Sequence, residues 1–272
     1  MSETAAITQK VYKKLVVKVS LQSLSFCTID TLQQHIIGFN EYDFALLPKS
    51  NKIEDHLWKV FLDEKELTKT YDEVVVLHES TLNTFVPKAL FDEDYKGSYL
   101  QYNTKVFETD FFAFDTLDTY DMVNVYVPYI NINNYLIDQF GSFTYKHASS
   151  VLVNTILDHS KNDFTPTMYI HLNRHTFEII VVENKKLLLF NTFEYKTAED
   201  FIYYLLFTAE QLRLNPESFT LKLLGSVTEI DTLYQKAFQF VRHVSLLDMT
   251  LFQKNNSFLT SDNRKHFILF NS

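Results

Sequence analysis

The sequence contains the same run of predicted elements twice: three short β-forming segments, an amphipathic helix and one more β-forming segment. The three segments of each run are rich in β-branched and aromatic residues and are separated by polar breaks, a pattern that predicts strands joined by hairpins. They cover 15–21, 24–29 and 35–39 in the first half, and 167–173, 176–182 and 186–193 in the second. Because the second run starts 152, 152 and 151 residues after the first, we predict two copies of one supersecondary unit that superpose as a pseudo-twofold pair.

A helix and a further strand are predicted after each set of three strands. The helices cover 53–66 and 198–214, and the strands after them cover 72–78 and 219–225. Thr197 and Asp200 have the spacing of a capping box, in which the threonine accepts a backbone N–H and the acid lies at the positive end of the helix. The nearly continuous apolar runs of the two strands are typical of strands covered on both faces.

The middle of the chain has no counterpart in the repeat. We predict a helix, two strands, a helix, a short strand and a second helix, over 87–103, 106–114, 123–127, 132–140, 143–147 and 148–159. Asn131 is placed to cap the helix 132–140, and Gly141 is placed to end it with a left-handed residue.

The polar, helix-breaking segment 161–166 marks the predicted domain boundary. It separates an N-terminal subdomain, 1–160 with an insertion at about 80–120, from a C-terminal subdomain, 167–272. Two subdomains suit a chain of 272 residues, since domains commonly contain roughly 150 residues.

Charge and hydropathy argue against several classes of function. The formal net charge of −9 opposes binding to the phosphate backbone of nucleic acids, and no apolar run reaches the ~18 residues that a membrane helix needs. The first nine residues include Glu3 and lack the basic and apolar regions of a secretion signal. The single cysteine, Cys27, cannot form an internal disulfide and is expected to be a buried, functionally silent thiol. We therefore expect a soluble cytoplasmic protein that binds neither nucleic acid nor membrane.

The order of the elements resembles the duplicated ribonuclease-H-like fold of the actin, sugar-kinase and heat-shock-chaperone superfamily. The block VNVYVPYININNYLIDQFGSFTYKHASSVLVNTIL, residues 123–157, is most similar to actin-like pilus-assembly and type II secretion proteins. The phrases SLQSLSFCTID, TFVPKALFD and EDFIYYLLFTAEQLRLNPE resemble a family of Bacteroidetes proteins to which no activity is assigned. The resemblance implies an α/β protein with an actin-like ATPase fold, built from two subdomains with mixed sheets flanked by helices.

The two turns that would hold phosphate depart from the superfamily's pattern. Catalytic members end a strand in an aspartate followed by a glycine-containing turn, so that the acid organises metal and water while backbone N–H groups reach phosphate. Here the turns read SLQSLS, 20–25, and HLNRHT, 171–176, and the whole chain has four glycines. A Cβ restricts positive φ and blocks close backbone approach at such turns. We therefore expect a degenerate site that does not hydrolyse ATP.

Four residues remain as candidates for a nucleotide site. Gly225 and Ser226 lie where the superfamily places its adenosine loop, while Arg174 and Ser25 lie in the two turns. A lone glycine at a strand end is more often a turn residue, and a lone surface arginine usually has no specific ligand. No catalytic residue, metal or cofactor is predicted.

Other polar clusters are better explained by structure than by chemistry. His171 and His175 are four residues apart but lie across a predicted hairpin, where this spacing does not bring them together. Asp115, Asp118 and Asp121 lack the glycine and the tighter spacing of a calcium loop and are predicted to form a solvated acidic loop. The 25 phenylalanines and 16 tyrosines lack interleaved basic residues, so we assign them mainly to the core.

Two hypotheses follow from these observations. The first is a non-catalytic, actin-like binding or scaffold protein that uses the groove between its subdomains for a protein or peptide partner. The second is a divergent nucleotide-binding enzyme of the same superfamily, in which serine hydroxyls and Arg174 hold phosphate in place of glycine turns.

Overall fold

The computed structural model describes residues 10–50, 52–102, 104–107, 109–160, 165–252 and 256–272. Its strands are β1 (Lys13–Val19), β2 (Ser23–Asp30), β3 (His35–Asp43), β4 (Glu73–His78), β5 (Asn83–Pro87), β6 (Ala113–Leu117), β7 (Met122–Tyr126), β8 (Thr144–His147), β9 (Thr167–Leu172), β10 (Thr176–Glu183), β11 (Lys186–Glu194), β12 (Thr220–Gly225) and β13 (His243–Leu246). Its α-helices are α1 (Ile53–Asp63), α2 (Lys96–Leu100), α3 (Ile130–Phe140), α4 (Ala148–His159), α5 (Ala198–Gln211), α6 (Thr232–Phe240), α7 (Thr260–Lys265) and α8 (Phe267–Phe270). None of the helices in this described part of the chain is long and apolar enough to cross a membrane.

The first compact unit contains the chain as far as Glu79 together with Tyr129–Lys146. It holds a five-stranded sheet in the order β3-β2-β1-β4-β8, in which β1 is antiparallel to β2 and parallel to β4. Helices α1 and α3 bury Leu57 and Leu136 in the same apolar cluster as Leu15 and Val17 of β1. This burial explains the amphipathic pattern of both helices, since only one face of each is apolar.

The second unit contains Ser80–Pro128 and almost all of the chain from His147 onward. Its five-stranded sheet has the order β11-β10-β9-β12-β13, and a separate three-stranded sheet has the order β5-β7-β6. Helix α5 contributes Phe201 and Leu205 to a core that includes Phe177 of β10. The capping box predicted at the start of α5 is confirmed, because Thr197 Oγ1 accepts the Asp200 N–H and the Asp200 carboxylate accepts the Thr197 N–H.

The two five-stranded sheets repeat the same strand order, so the predicted duplication is confirmed. In the first sheet β1 is antiparallel to β2 and parallel to β4, and in the second sheet β9 is antiparallel to β10 and parallel to β12. Each sheet also has a register shift in the pairing of its second and third strands, between Thr28 and Ile29 in the first sheet and between Val181 and Val182 in the second. These two irregularities lie 153 residues apart, as do the paired residues beside the hairpins, Val19 with Leu24 and Leu172 with Phe177.

The middle of the chain differs from its prediction in three places. The helix predicted over 87–103 is instead the end of β5, two short 3-10 turns and α2, because the Asp92 carboxylate accepts the Asp94 N–H and starts a new local turn. The strand predicted over 106–114 begins only at Ala113, since the Asp110 carboxylate accepts the Phe107 N–H in a turn.

The helix predicted over 132–140 also starts earlier than expected. Asn131 lies inside it, because the helical hydrogen bonds begin with the Asn133 N–H donating to the Tyr129 carbonyl. Gly141 ends the helix as predicted, with φ of +75°.

The compact units are drawn differently from the predicted subdomains, since α4 and the three-stranded sheet belong to the second unit. Most of the predicted boundary, residues 161–164, lies outside the described residues. The division at that boundary stays a prediction.

Candidate functional site

The hairpin between β1 and β2 is closed by its own serine. The Ser20 hydroxyl oxygen accepts the backbone N–H groups of Gln22, at 3.1 Å, and Ser23, at 3.0 Å. The Ser20 N–H in turn donates to the Ser23 carbonyl at 2.9 Å. Backbone N–H groups at such a turn are the usual anion-binding groups of a phosphate loop. In this hairpin they are already bonded.

The corresponding hairpin between β9 and β10 has the same main-chain closure. The Asn173 N–H donates to the Thr176 carbonyl at 2.9 Å. Tyr195, which follows β11, adds two contacts: its hydroxyl donates to the Asn173 carbonyl at 2.9 Å, and its N–H donates to the His175 carbonyl at 3.1 Å. Arg174 is exposed at the tip of this turn.

Gly225 ends β12 opposite Leu172 in the parallel ladder. Its φ is +91°, and an added Cβ would lie 2.2 Å from the Leu172 carbonyl oxygen. The Ser226 N–H donates to that same oxygen at 2.9 Å. The close approach of the two backbones therefore explains why a glycine is needed at this position without any ligand.

The four predicted nucleotide-site residues fall into two groups. Gly225 and Ser226 are brought beside Leu172, two residues before Arg174, so these three belong to one end of the second sheet. Ser25 belongs to the other unit, where it lies within β2 with a buried hydroxyl that has no hydrogen-bond partner among the described residues. A role for these residues in nucleotide binding stays a prediction.

His78 occupies, at the end of β4, the position that Gly225 has at the end of β12. It pairs with Val19 as Gly225 pairs with Leu172. Its side chain is fully buried, with Nε2 2.8 Å from Asn133 Oδ1, an acceptor, so Nε2 carries the proton. Burial lowers the pKa of His78 to about 4, which keeps the ring neutral.

Ser80 and His147 resemble a nucleophile and its base in distance but not in protonation. His147 Nε2 lies 3.2 Å from Ser80 Oγ, while its Nδ1 accepts the Ser149 N–H at the start of α4. Because Nδ1 is the acceptor, Nε2 carries the hydrogen and donates to Ser80. A general base needs an unprotonated nitrogen facing the hydroxyl. This pair therefore caps a helix and does not activate Ser80.

A chain of buried polar side chains begins at Asp115 of β6. Its carboxylate accepts the His147 N–H at 2.8 Å and the Ser150 hydroxyl at 2.5 Å. Ser150 Oγ accepts Asn124 Nδ2 at 2.8 Å, and Asn124 Oδ1 accepts Asn83 Nδ2 at 3.1 Å. The predicted solvated acidic loop is therefore wrong for Asp115. It holds for Asp118 and Asp121, which are exposed, and Lys88 pairs with Asp118 at 2.6 Å.

His171 is buried in β9 and lies 2.7 Å from Glu178 on the neighbouring strand β10. The second Glu178 oxygen accepts the Ser149 hydroxyl at 2.6 Å, so the pair links the sheet to the first turn of α4. His175 is exposed in the hairpin. Within the described residues, no group of three or more histidine, cysteine, aspartate or glutamate side chains is arranged to hold a metal ion.

The segment between β5 and β6 in the second unit exposes five apolar side chains. They are Leu90, Tyr95, Tyr102, Phe107 and Phe111, each more than half exposed. A further exposed pair on α5, Tyr203 and Phe207, stacks ring on ring at 6.0 Å. The sequence analysis assigned the aromatic residues mainly to the core, and the six aromatic residues among these seven positions do not follow that assignment. Exposed apolar side chains that form one patch are typical of protein-binding sites.

Comparison with known proteins identifies the family of the chain. Residues 2–244 match the family model described as a protein of unknown function, DUF3822. The chain belongs to this family. No protein with a curated description matches it.

Two solved structures share the fold. A Bacteroides thetaiotaomicron protein with an actin-like ATPase fold and unknown function is 23% identical, with a TM-score of 0.79 over 89% of this chain and 93% of that one. A chain of the PilM-PilN type IV pilus biogenesis complex is 10% identical, with a TM-score of 0.62 over 96% of this chain and 97% of that one. The predicted actin-like fold and the resemblance to pilus-assembly proteins are thus confirmed.

Proposed function

We propose that the protein is a non-catalytic, actin-like binding or scaffold protein of the cytoplasm that holds a protein partner. The observation that carries this proposal is the closed hairpin at Ser20. Its hydroxyl accepts the Gln22 and Ser23 N–H groups, which are therefore not free for a phosphate, and no aspartate stands in the turn to position a metal.

The alternative, a divergent nucleotide-binding enzyme, has less support. It requires Ser25 and Arg174 to replace the missing glycine turns, yet the Ser25 hydroxyl is buried within a strand. The glycine predicted to belong to the adenosine loop, Gly225, is explained by its contact with the Leu172 backbone. These observations favour a site that is degenerate for nucleotides.

Calorimetric titration with ATP and magnesium tests this choice. We expect an affinity no better than about millimolar, equivalent to about 4 kcal/mol, because a nucleotide would keep few contacts beyond its base. Micromolar, magnesium-dependent binding that is weakened by Arg174→Ala would instead establish the enzyme hypothesis.

A protein partner is supported by two observations. The segment between β5 and β6 exposes five apolar side chains, which a protein partner would bury. In addition, the pilus-biogenesis chain with the same fold was solved in a complex named for two proteins. The groove between the subdomains, where the sequence analysis placed the partner, stays a prediction.

Affinity purification of the tagged full chain from its native host tests the partner surface. The double variant Tyr102→Ser and Phe107→Ser removes two exposed rings, while Leu46→Ser removes an equally exposed side chain in the other unit. We expect a stoichiometric partner to be recovered with the wild type and with Leu46→Ser, and to be lost with the double variant. Equal recovery with all three would refute this surface.

A further inference from the structure

A small polar pocket lies in the second unit between β5 and β11. Its volume is about 200 Å³, and its walls contain four threonines, two asparagines, Phe190 and Glu194. Sites for drug-sized ligands occupy about 300–1,000 Å³. This pocket therefore suits one side chain or a fragment of similar size.

The buried polar chain that starts at Asp115 ends at this pocket, and its direction can be derived. A carboxylate only accepts hydrogen bonds, so Ser150 must donate to Asp115 and accept from Asn124 Nδ2. Asn124 Oδ1 is then the atom that faces Asn83, so Asn83 must donate to it through Nδ2. The orientation of both amides is thus determined by the carboxylate at the far end.

The consequence is a buried acceptor, without a donor, in a residue that lines the pocket. Asn83 lines it and is nine-tenths buried, and its Oδ1 has no hydrogen-bond partner among the described residues. A buried acceptor without a donor is unfavourable by about 1–3 kcal/mol. A ligand that reached this oxygen with a hydrogen-bond donor would remove that cost.

The other walls favour a donor that carries positive charge. Glu194 lines the pocket and forms no ion pair with another described residue. Phe190, whose ring meets that of Phe85 at 4.8 Å, offers an aromatic ring to a cation. The formal net charge of the whole chain, −9, acts in the same direction.

We propose that this pocket binds the basic side chain, lysine or arginine, of a protein partner. The inference deepens the proposed function and rests on it, since the ligand is part of a partner. It adds the chemistry of recognition: N–H donors for Asn83 Oδ1, positive charge for Glu194 and a flat or compact cation for the Phe190 ring.

Amide NMR spectra of the full, isotopically labelled chain test the pocket directly. The probes are Nα-acetyl-lysine amide and Nα-acetyl-arginine amide, with Nα-acetyl-norleucine amide as the uncharged control and n-butylammonium as a free amine. The variant Glu194→Gln removes the charge at an exposed position, and Glu183→Gln, at the other end of the β10–β11 hairpin, is the matched control.

We expect saturable shifts of Asn83, Thr84 and Asn191 with a basic probe and none with norleucine amide. Glu194→Gln should weaken the binding about threefold to fivefold, as a partly exposed ion pair does, and Glu183→Gln should leave it unchanged. Shifts that are absent, shared by norleucine amide or unaffected by Glu194→Gln would overturn the proposal. Binding of n-butylammonium without either blocked amino acid would overturn it too, in favour of a free amine.

These outcomes are separable from those of the proposed function. Micromolar, magnesium-dependent ATP binding measured by calorimetry would refute the non-catalytic proposal whatever the NMR probes do. Conversely, a partner captured through the exposed rings between β5 and β6 would stand even if the pocket bound no basic probe.

Discussion

Replacement of Gly225 by alanine should be more damaging than the same replacement at Gly38 or Gly141. Two contributions to the loss of folding stability combine at this position. A φ of +91° is unfavourable for an L-residue by about 1–2 kcal/mol, and the new Cβ would lie 2.2 Å from the Leu172 oxygen and 2.8 Å from its nitrogen. Both contacts are with backbone, so relief requires β9 and β12 to separate, and such overpacking costs about 1–3 kcal/mol more. We expect a total loss of about 2–5 kcal/mol.

Two other glycines separate these terms. Gly141 has φ of +75° but open space around its Cβ, so Gly141→Ala should show the backbone term alone. Gly38 has neither constraint, and Gly38→Ala should be neutral or stabilise β3 by about 0.5–1 kcal/mol. Urea unfolding followed by far-UV circular dichroism gives the three values, and hydrogen exchange locates the weakened strands. A Gly225→Ala loss no larger than that of Gly141→Ala would refute the backbone-contact argument.

Three further predictions concern buried groups. The pKa of His78 is about 4 in the folded chain and near 6.5 in the unfolded chain, so the unfolded chain binds the extra proton first as the pH falls. The free energy of unfolding should therefore fall by about 3 kcal/mol between pH 7 and pH 4. His78→Gln should flatten this part of the pH profile. Cys27 is fully buried, so Cys27→Ala should cost about 1 kcal/mol, and rapid labelling of the native thiol would contradict the burial. Ser20→Ala deprives Gln22 and Ser23 of their acceptor and should lower stability by about 1–2 kcal/mol in thermal unfolding, whereas an unchanged midpoint would show that the turn does not need the hydroxyl.

The sequence predicted the repeated part of the fold because that part follows strict local rules. Alternating apolar residues and polar breaks located β1 to β3 and β9 to β11 to within a few residues, and Thr197 with Asp200 identified the start of α5. These signals depend on neighbours in the chain. They are therefore readable without the tertiary structure.

The inserted region was harder to predict because its turns depend on single side-chain contacts. Asp92 and Asp110 each accept a nearby N–H and break elements that hydropathy alone would continue. The buried polar chain was missed for a different reason: Asn83, Asn124 and Asp115 come together only when three strands pair. One local signal existed, since Asn124 interrupts the apolar run 123–127. A buried amide in such a run indicates a hydrogen-bonded partner elsewhere in the fold.

The duplicated sheets also show where a function is best sought. Both halves keep the hairpin closure and the same bulge, yet the residues at the end of the fourth strand differ: His78 is bonded to Asn133 in one, and Gly225 lies against Leu172 in the other. In both halves, the residue at the end of the fourth strand contacts another residue of its own unit. Since these positions serve structure, the groups without internal partners carry more information about ligands. In the described chain the buried side-chain atoms without a partner are Asn83 Oδ1, in β5, and Ser25 Oγ, within β2. Because Asn83 also lines the polar pocket and is close in sequence to the exposed rings, experiments should begin around β5.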